Sequence, residues 1–260
     1  MPAKTRSTQP KNSKQAAKRS RSRAIRKSAN LDYVYTRFCE QFGPLKAVEF
    51  HDPLDLVVFS LLLQGLPLPA CLKAFRSFKS QFVDWNEVRI STAKEVQDVV
   101  RDSKEALELA IFIKRFLHRL FNEHHHVSLD FLRELSISDI RSFFKKSPGF
   151  AEATVNLLLE RLKEYPVVPL ASWMEPCLER LGHGSPSITP LQRQKDLFEQ
   201  IPRERVFSLH AYLAEHARTT CVAEDSLIDC PRCVLKRGCP YPRKSTARRS
   251  PANGSSATRS

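Results

Sequence analysis

Glycine is scarce in this chain, with seven in 260 residues. Strand-like alternation of apolar and polar residues is scarce too, so the tight hairpins and half-buried strands of a β fold have little to build on. Apolar residues recur instead at three- and four-residue steps, and the sequence predicts an all-α protein. No apolar run approaches the roughly 18 residues that cross a bilayer, so a soluble chain without a membrane partner is expected. The layout of a secretory signal is also missing, which argues against reading the seven cysteines as a disulfide framework.

Acidic residues are absent from both ends. Residues 1–29 hold ten Lys and Arg and residues 241–260 five more, with no Asp or Glu in either stretch. Removing those fifteen leaves 27 basic residues against all 28 acidic ones, so the net charge of +14 belongs to the ends and the body is near neutral. Basic arms of this composition hold polyanions through counterion release and confer no base selectivity. The arms are expected to be disordered over 1–29 and 243–260.

What is present follows a helical rhythm. Leu31, Val34, Tyr35, Phe38 and Phe42 share one helical face. After a turn at His51–Pro53, LDLVVFSLLLQG is apolar on nearly every side up to Leu63, as a buried central helix would be, and then meets Gln64 and Gly65. Three amphipathic segments follow, with Ser91 and Ser103 as expected N-caps. The run His124–His126 reads as a solvated helix end, because three adjacent residues point in different directions. SFFKKSPGFAEATVNLLLERL then reads as helix, Pro-Gly hairpin and helix from about Ala151 to Leu162. Its amides, at Pro148, Gly149, Phe150 and Ala151, are placed to hold a nucleic-acid phosphate without reading bases, although Pro148 itself has no N–H.

Cys221, Cys230, Cys233 and Cys239 are separated by eight, two and five residues. Four thiolates this close can surround one metal centre, and spacing alone leaves zinc and an iron–sulfur cluster both open. Cys39, Cys71 and Cys177 read as small core residues.

Three pieces in order resemble endonuclease III and its relatives, the helix-hairpin-helix DNA glycosylases that carry a four-iron cluster. LLLQG is similar to the segment where that family keeps a Gln that enters the gap left by a flipped base. SPGFAEATVNLLL resembles the hairpin LPGVGRKTANVVL, and HARTTC with the following cysteines resembles HGRYTC and the cluster loop. The resemblance spans about residues 31–242. It implies two helical domains: a six-helix barrel over 50–165, and a cluster domain over 166–242 against which the first helix, 30–49, packs. It also implies a [4Fe-4S] cluster on Cys221, Cys230, Cys233 and Cys239, double-stranded DNA as partner, damaged or distorted DNA included, contacts through Gln64 and the hairpin, and a monomer at work on DNA inside the cell, in a bacterial nucleoid or a nucleus.

The departures decide the expected activity. Family enzymes use a Lys after the hairpin as nucleophile and an Asp opening the next helix to activate it. Laid on those motifs, this chain has Ala153 and Ala171. Lys145, Lys146, Lys163, Glu152 and Glu175 are the candidate substitutes. The cluster loop VAEDSLID is longer than the family's and carries Glu224, Asp225 and Asp229, expected to repel phosphates and to leave Arg232, Lys236, Arg237 and the arms to compensate. The expectation is DNA binding without cleavage. The alternatives are a working glycosylase or abasic-site lyase with relocated groups, and a protein-interaction scaffold.

Overall fold

The computed structural model describes residues 28–45, 50, 52–147, 149–184 and 187–241. The two basic arms, His51 and Pro148 lie outside them, apart from the first arm's last two residues, Ser28 and Ala29. Among the described residues the fold is all-α, with helices α1 (Leu31–Phe42), α2 (Pro53–Gly65), α3 (Leu68–Gln81), α4 (Trp85–Ile90), α5 (Ala93–Val99), α6 (Ala106–His124), α7 (Ile137–Lys145), α8 (Glu152–Lys163), α9 (Glu175–Arg180), α10 (Pro190–Phe198) and α11 (Val206–Thr219).

The all-apolar stretch forms α2, and Leu54, Val57, Val58, Phe59 and Leu62 on it are wholly buried. Asp52 caps it by accepting from the Leu54 amide at 2.8 Å, and Pro53 occupies the first turn, where its missing N–H costs nothing. α2 packs against α3, α6 and α8, while α4 and α5 close over α6 and α7 pairs with α8. The phenylalanines Phe50, Phe59, Phe75 and Phe207 meet with ring centroids 5.2–5.6 Å apart, joining α2 and α3 to α11.

α1 lies on α11. The Tyr212 ring packs among Tyr35, Phe38 and Phe42, and its hydroxyl donates to the Gly43 carbonyl at 2.7 Å and accepts from the Leu45 amide at 2.8 Å. Ahead of α1, the Ala29 amide donates to the Leu181 carbonyl.

Two expected caps fall elsewhere. Thr92, not Ser91, caps α5, through a reciprocal pair with Glu95, and Ser91 instead terminates α4, a one-and-a-half-turn helix that the sequence reading passed over. Six residues are too few to show a helical period. At α6 the capping position is Glu105, and Ser103 stands two residues earlier, accepting from the Glu105 amide at 3.3 Å. The histidine run does end a helix: His125 adopts a left-handed conformation and His124 stacks on Phe131.

Candidate nucleic-acid interface and metal centre

The hairpin is built on an aromatic footing. Phe150 sits among Phe112, Phe116 and Phe144, with centroids 5.1, 4.7 and 5.0 Å away, so its ring faces the core and only its backbone is available to a ligand. Gly149 has φ +111, and a Cβ there would stand 2.5 Å from Phe112 Cε2. Glycine is therefore required for both conformation and space. Ala151 caps α8 without a side-chain hydrogen bond, so no side chain claims the first amides of α8.

Gln64 reaches the same helix. Its Nε2 donates to Thr154 Oγ1 at 2.9 Å and to the Ser60 carbonyl at 3.3 Å, and Ser60 Oγ lies 2.9 Å from Thr154 Oγ1. Arg218, on α11, donates to the carbonyls of Leu63 and Gln64 at 2.7 and 3.0 Å and packs over the Trp173 ring at 5.1 Å. Glu215, one turn earlier, accepts from the Leu68 amide at 2.6 Å and so caps α3, whose own capping residue, Pro67, supplies no side chain. These contacts gather Gln64, the first turn of α8 and the segment 171–174 in one region. Ala153 and Ala171 are both buried there, at 4% and 8% exposure. Arg218, Glu215 and Trp173 were not singled out from sequence, because their partners are backbone groups and a ring that only the fold reveals.

Deeper in, a buried chain of amides joins α7, α8 and α10. Arg141 donates to Asn156 Oδ1 at 2.8 Å, and Asn156 Nδ2 donates to Gln194 Oε1 at 3.0 Å.

Cys221, Cys230, Cys233 and Cys239 line one cavity together with Arg180, His216 and Lys236. Arg180 shapes its wall: the nearly buried guanidinium donates to the carbonyls of Cys221, Val222 and Ala223 at 3.2, 2.6 and 2.9 Å and pairs with Asp225 at 2.8 Å. Cys233 is pushed up to about 11 by burial and by the thiols of Cys239, Cys221 and Cys230 around it. The Cys177 thiol, hydrogen-bonded to Cys221, is the main influence holding Cys221 down to about 4, helped by His216 and Arg180 and opposed by burial. Cys177 is buried as expected, but it stands beside a cavity cysteine and is not a plain core residue.

Two sulfurs on one tetrahedral zinc stand about 3.8 Å apart, given Zn–S bonds of roughly 2.3 Å. Among the described residues, the one group of three ligand atoms within 4.8 Å of one another is Cys177, His216 and Cys221. The four cavity cysteines are spread more widely than that, as thiolates around a multi-atom group would be. Their residue types and placement fit a metal centre.

The acidic loop does not present three free carboxylates. Asp225 is held by Arg180, and Asp229 pairs with Arg232 at 3.3 Å while accepting from its amide. Glu224 is bonded by the Ser226 hydroxyl. The expected repulsion of phosphates is reduced accordingly.

No family model matches the chain. A protein of Arabidopsis thaliana named "Putative DNA glycosylase" is 26% identical over 174 residues, 67% of this chain, and the match spans 59% of that relative's length. Among solved structures, a trapped endonuclease III–DNA covalent intermediate superposes with TM-score 0.52 at 18% identity, covering 80% of this chain and 93% of that one. A thermostable thymine-DNA glycosylase superposes with TM-score 0.55 at 12% identity, covering 81% and 94%. The chain has the endonuclease III fold.

Of the candidate substitutes for the expected Lys and Asp, Glu175 and Lys163 are engaged elsewhere, while Glu152, Lys145 and Lys146 are exposed. Glu175 pairs with the buried Arg193. Lys163 donates to the Arg133 carbonyl, and ten residues of α8 put its backbone about 15 Å from Ala153 at 1.5 Å per residue. Glu152 is exposed and lies 3.7 Å from Arg141. Lys145 and Lys146 end α7, exposed to solvent.

Proposed function

We propose that this protein binds double-stranded DNA, damaged or distorted duplexes included, in the manner of a base-excision glycosylase that has lost its chemistry. The observation that carries the reading is the pair of buried methyl groups at Ala153 and Ala171, where an amine and a carboxylate would be needed to attack deoxyribose and steady the charge that develops. A methyl group is no nucleophile. The partners found for Glu175 and Lys163 support the same conclusion, since a misplacement of about 1 Å can already cost about a hundredfold in rate.

In this reading the amides of Gly149, Phe150 and the first turn of α8 grip a phosphate, with Gln64 beside them to enter a gap in the stack. The two basic arms supply salt-sensitive attraction. The groove lies between a six-helix barrel of residues 50–165 and a cluster unit of residues 166–242, against which the first helix packs. Cys221, Cys230, Cys233 and Cys239 hold a [4Fe-4S] cluster, which acts as a structural staple for the C-terminal part, metal-binding free energy becoming folding free energy. The protein works as a monomer on DNA inside the cell.

Borohydride trapping on an abasic duplex tests the reading. No covalent adduct should form, while the same duplex is retained in a salt-dependent complex. A trapped adduct, lost on substituting Lys145, Lys146 or Lys163, would establish a relocated active site instead. Duplex binding that disappears once both arms are removed would favour a protein-interaction scaffold.

A further inference from the structure

Cys177 and His216 have no part in the four-cysteine set, yet they complete a second one. Cys177 Sγ, a ring nitrogen of His216 and Cys221 Sγ lie within 4.8 Å of one another, brought in from α9, α11 and the second residue after α11. Both Cys177 and His216 are 1% exposed, so the donors converge in the interior. His216 Nδ1 has no hydrogen-bond partner, although a buried ring nitrogen without one is costly. Its Nε2 lies 3.8 Å from Cys233 Sγ, a fourth soft donor that stands next to the three without being one of the mutually close set. Phe38 packs against the imidazole with centroids 5.1 Å apart and restrains its rotation.

Three thiols and one imidazole are a Cys₃His set, the soft tetrahedral environment that zinc takes in structural sites. Donors at roughly 2.0–2.3 Å from a zinc ion stand about 3.3–3.8 Å apart, so closing Cys177, His216 and Cys221 onto one ion needs movements of about an ångström, and Cys233 swings in to complete the set. From this geometry we infer that the protein has a second metal-binding mode, a mononuclear zinc-type site formed by Cys177, His216, Cys221 and Cys233. Binding takes the three sulfurs as thiolates, releasing the protons of those that still carry one, and a neutral imidazole, with no change of oxidation state. Cys221 and Cys233 belong to both sets, so zinc here and a cluster on all four cavity cysteines exclude each other. Cys177 and His216 serve the zinc mode alone; Cys230 and Cys239 serve the cluster alone.

The test uses the full-length metal-free protein under anaerobic, reducing conditions, titrated with Co²⁺ as a spectroscopic probe and then with Zn²⁺. Tetrahedral cobalt bands with thiolate charge transfer should appear at one equivalent and be displaced by zinc. Cys177→Ala and His216→Gln should each weaken cobalt binding by more than the roughly 10–100-fold that loss of an outer-shell residue costs. Cys239→Ala should leave cobalt binding unchanged. Iron–sulfur reconstitution should show the reverse, surviving Cys177→Ala and failing in Cys239→Ala. Cys177→Ser, which preserves side-chain volume, should lose one thiolate's share of the charge-transfer intensity, separating ligation from a packing defect. Undiminished cobalt affinity and absorption in both Cys177 variants would overturn the inference, as would equal losses in Cys177→Ala and Cys239→Ala, which would place the ion on the four cavity cysteines. None of these readouts involves DNA, so the result stands apart from the DNA-binding reading.

Discussion

Replacing Gly149 with alanine probes whether the hairpin is as constrained as its geometry indicates. The residue sits at φ +111, where a Cβ costs about 1–2 kcal/mol in backbone energy. The new methyl would also meet the Phe112 ring, with Cε2, Cζ and Cδ2 at 2.5, 3.0 and 3.3 Å, and Phe112 cannot swing freely because it packs on Phe150. Overpacking of that kind costs about 1–3 kcal/mol. The lost freedom of the unfolded chain returns about 0.5–1 kcal/mol, leaving a net destabilisation of about 1–4 kcal/mol. Urea denaturation of the wild type, Gly149→Ala, Phe112→Leu and the double variant forms a cycle that separates the two contributions. The steric part should be relieved in the double variant, giving a coupling of about 1 kcal/mol or more, while the backbone part persists. A change below about 0.5 kcal/mol for Gly149→Ala, or strict additivity in the cycle, would refute the reasoning.

Burial holds His210 down to about 4, opposed by its bond to the Pro169 carbonyl, so the folded protein keeps it neutral where the unfolded chain protonates it. Stability should therefore be lost as pH falls from about 6.5 to about 4, by about 3 kcal/mol at 1.4 kcal/mol per pH unit, and the slope should flatten in His210→Gln when unfolding is followed across that range. Glu215→Ala leaves the Leu68 amide at the start of α3 without its carboxylate and should cost about 2 kcal/mol in chemical denaturation, with Glu215→Gln recovering part of the loss. Protein isolated from iron-replete cells should be brown, with absorption at the blue edge of the visible. Cys230→Ser should be colourless and melt earlier, with early proteolytic cleavage C-terminal to α11.

Much of the helical plan could be read from residue spacing, because burial on one side imposes a period on α1 and α6. α2 was legible as the central element from its lack of a polar face. What spacing does not carry is partnership across the chain. Asp225 looks like a free anion until Arg180, 45 residues earlier, is found beside it. Cys177 looks like an ordinary core thiol until α9 is set against the end of α11. The capping role of Glu215 is equally invisible, since its partner is a backbone amide 147 residues away. The region around Ala153 and Ala171 was readable only through a resemblance, as alanine carries no chemistry that would mark its position.

The turn joining α2 to α3 is clasped by α11 with a cation against the outgoing carbonyls of one helix and an anion against the incoming amide of the next, each matching the partial charge it meets. Arg218 is only three residues from Cys221. Whatever anchors that sulfur also sets the end of α11, and with it the carbonyl end of α2 at Leu63 and Gln64, which Arg218 holds.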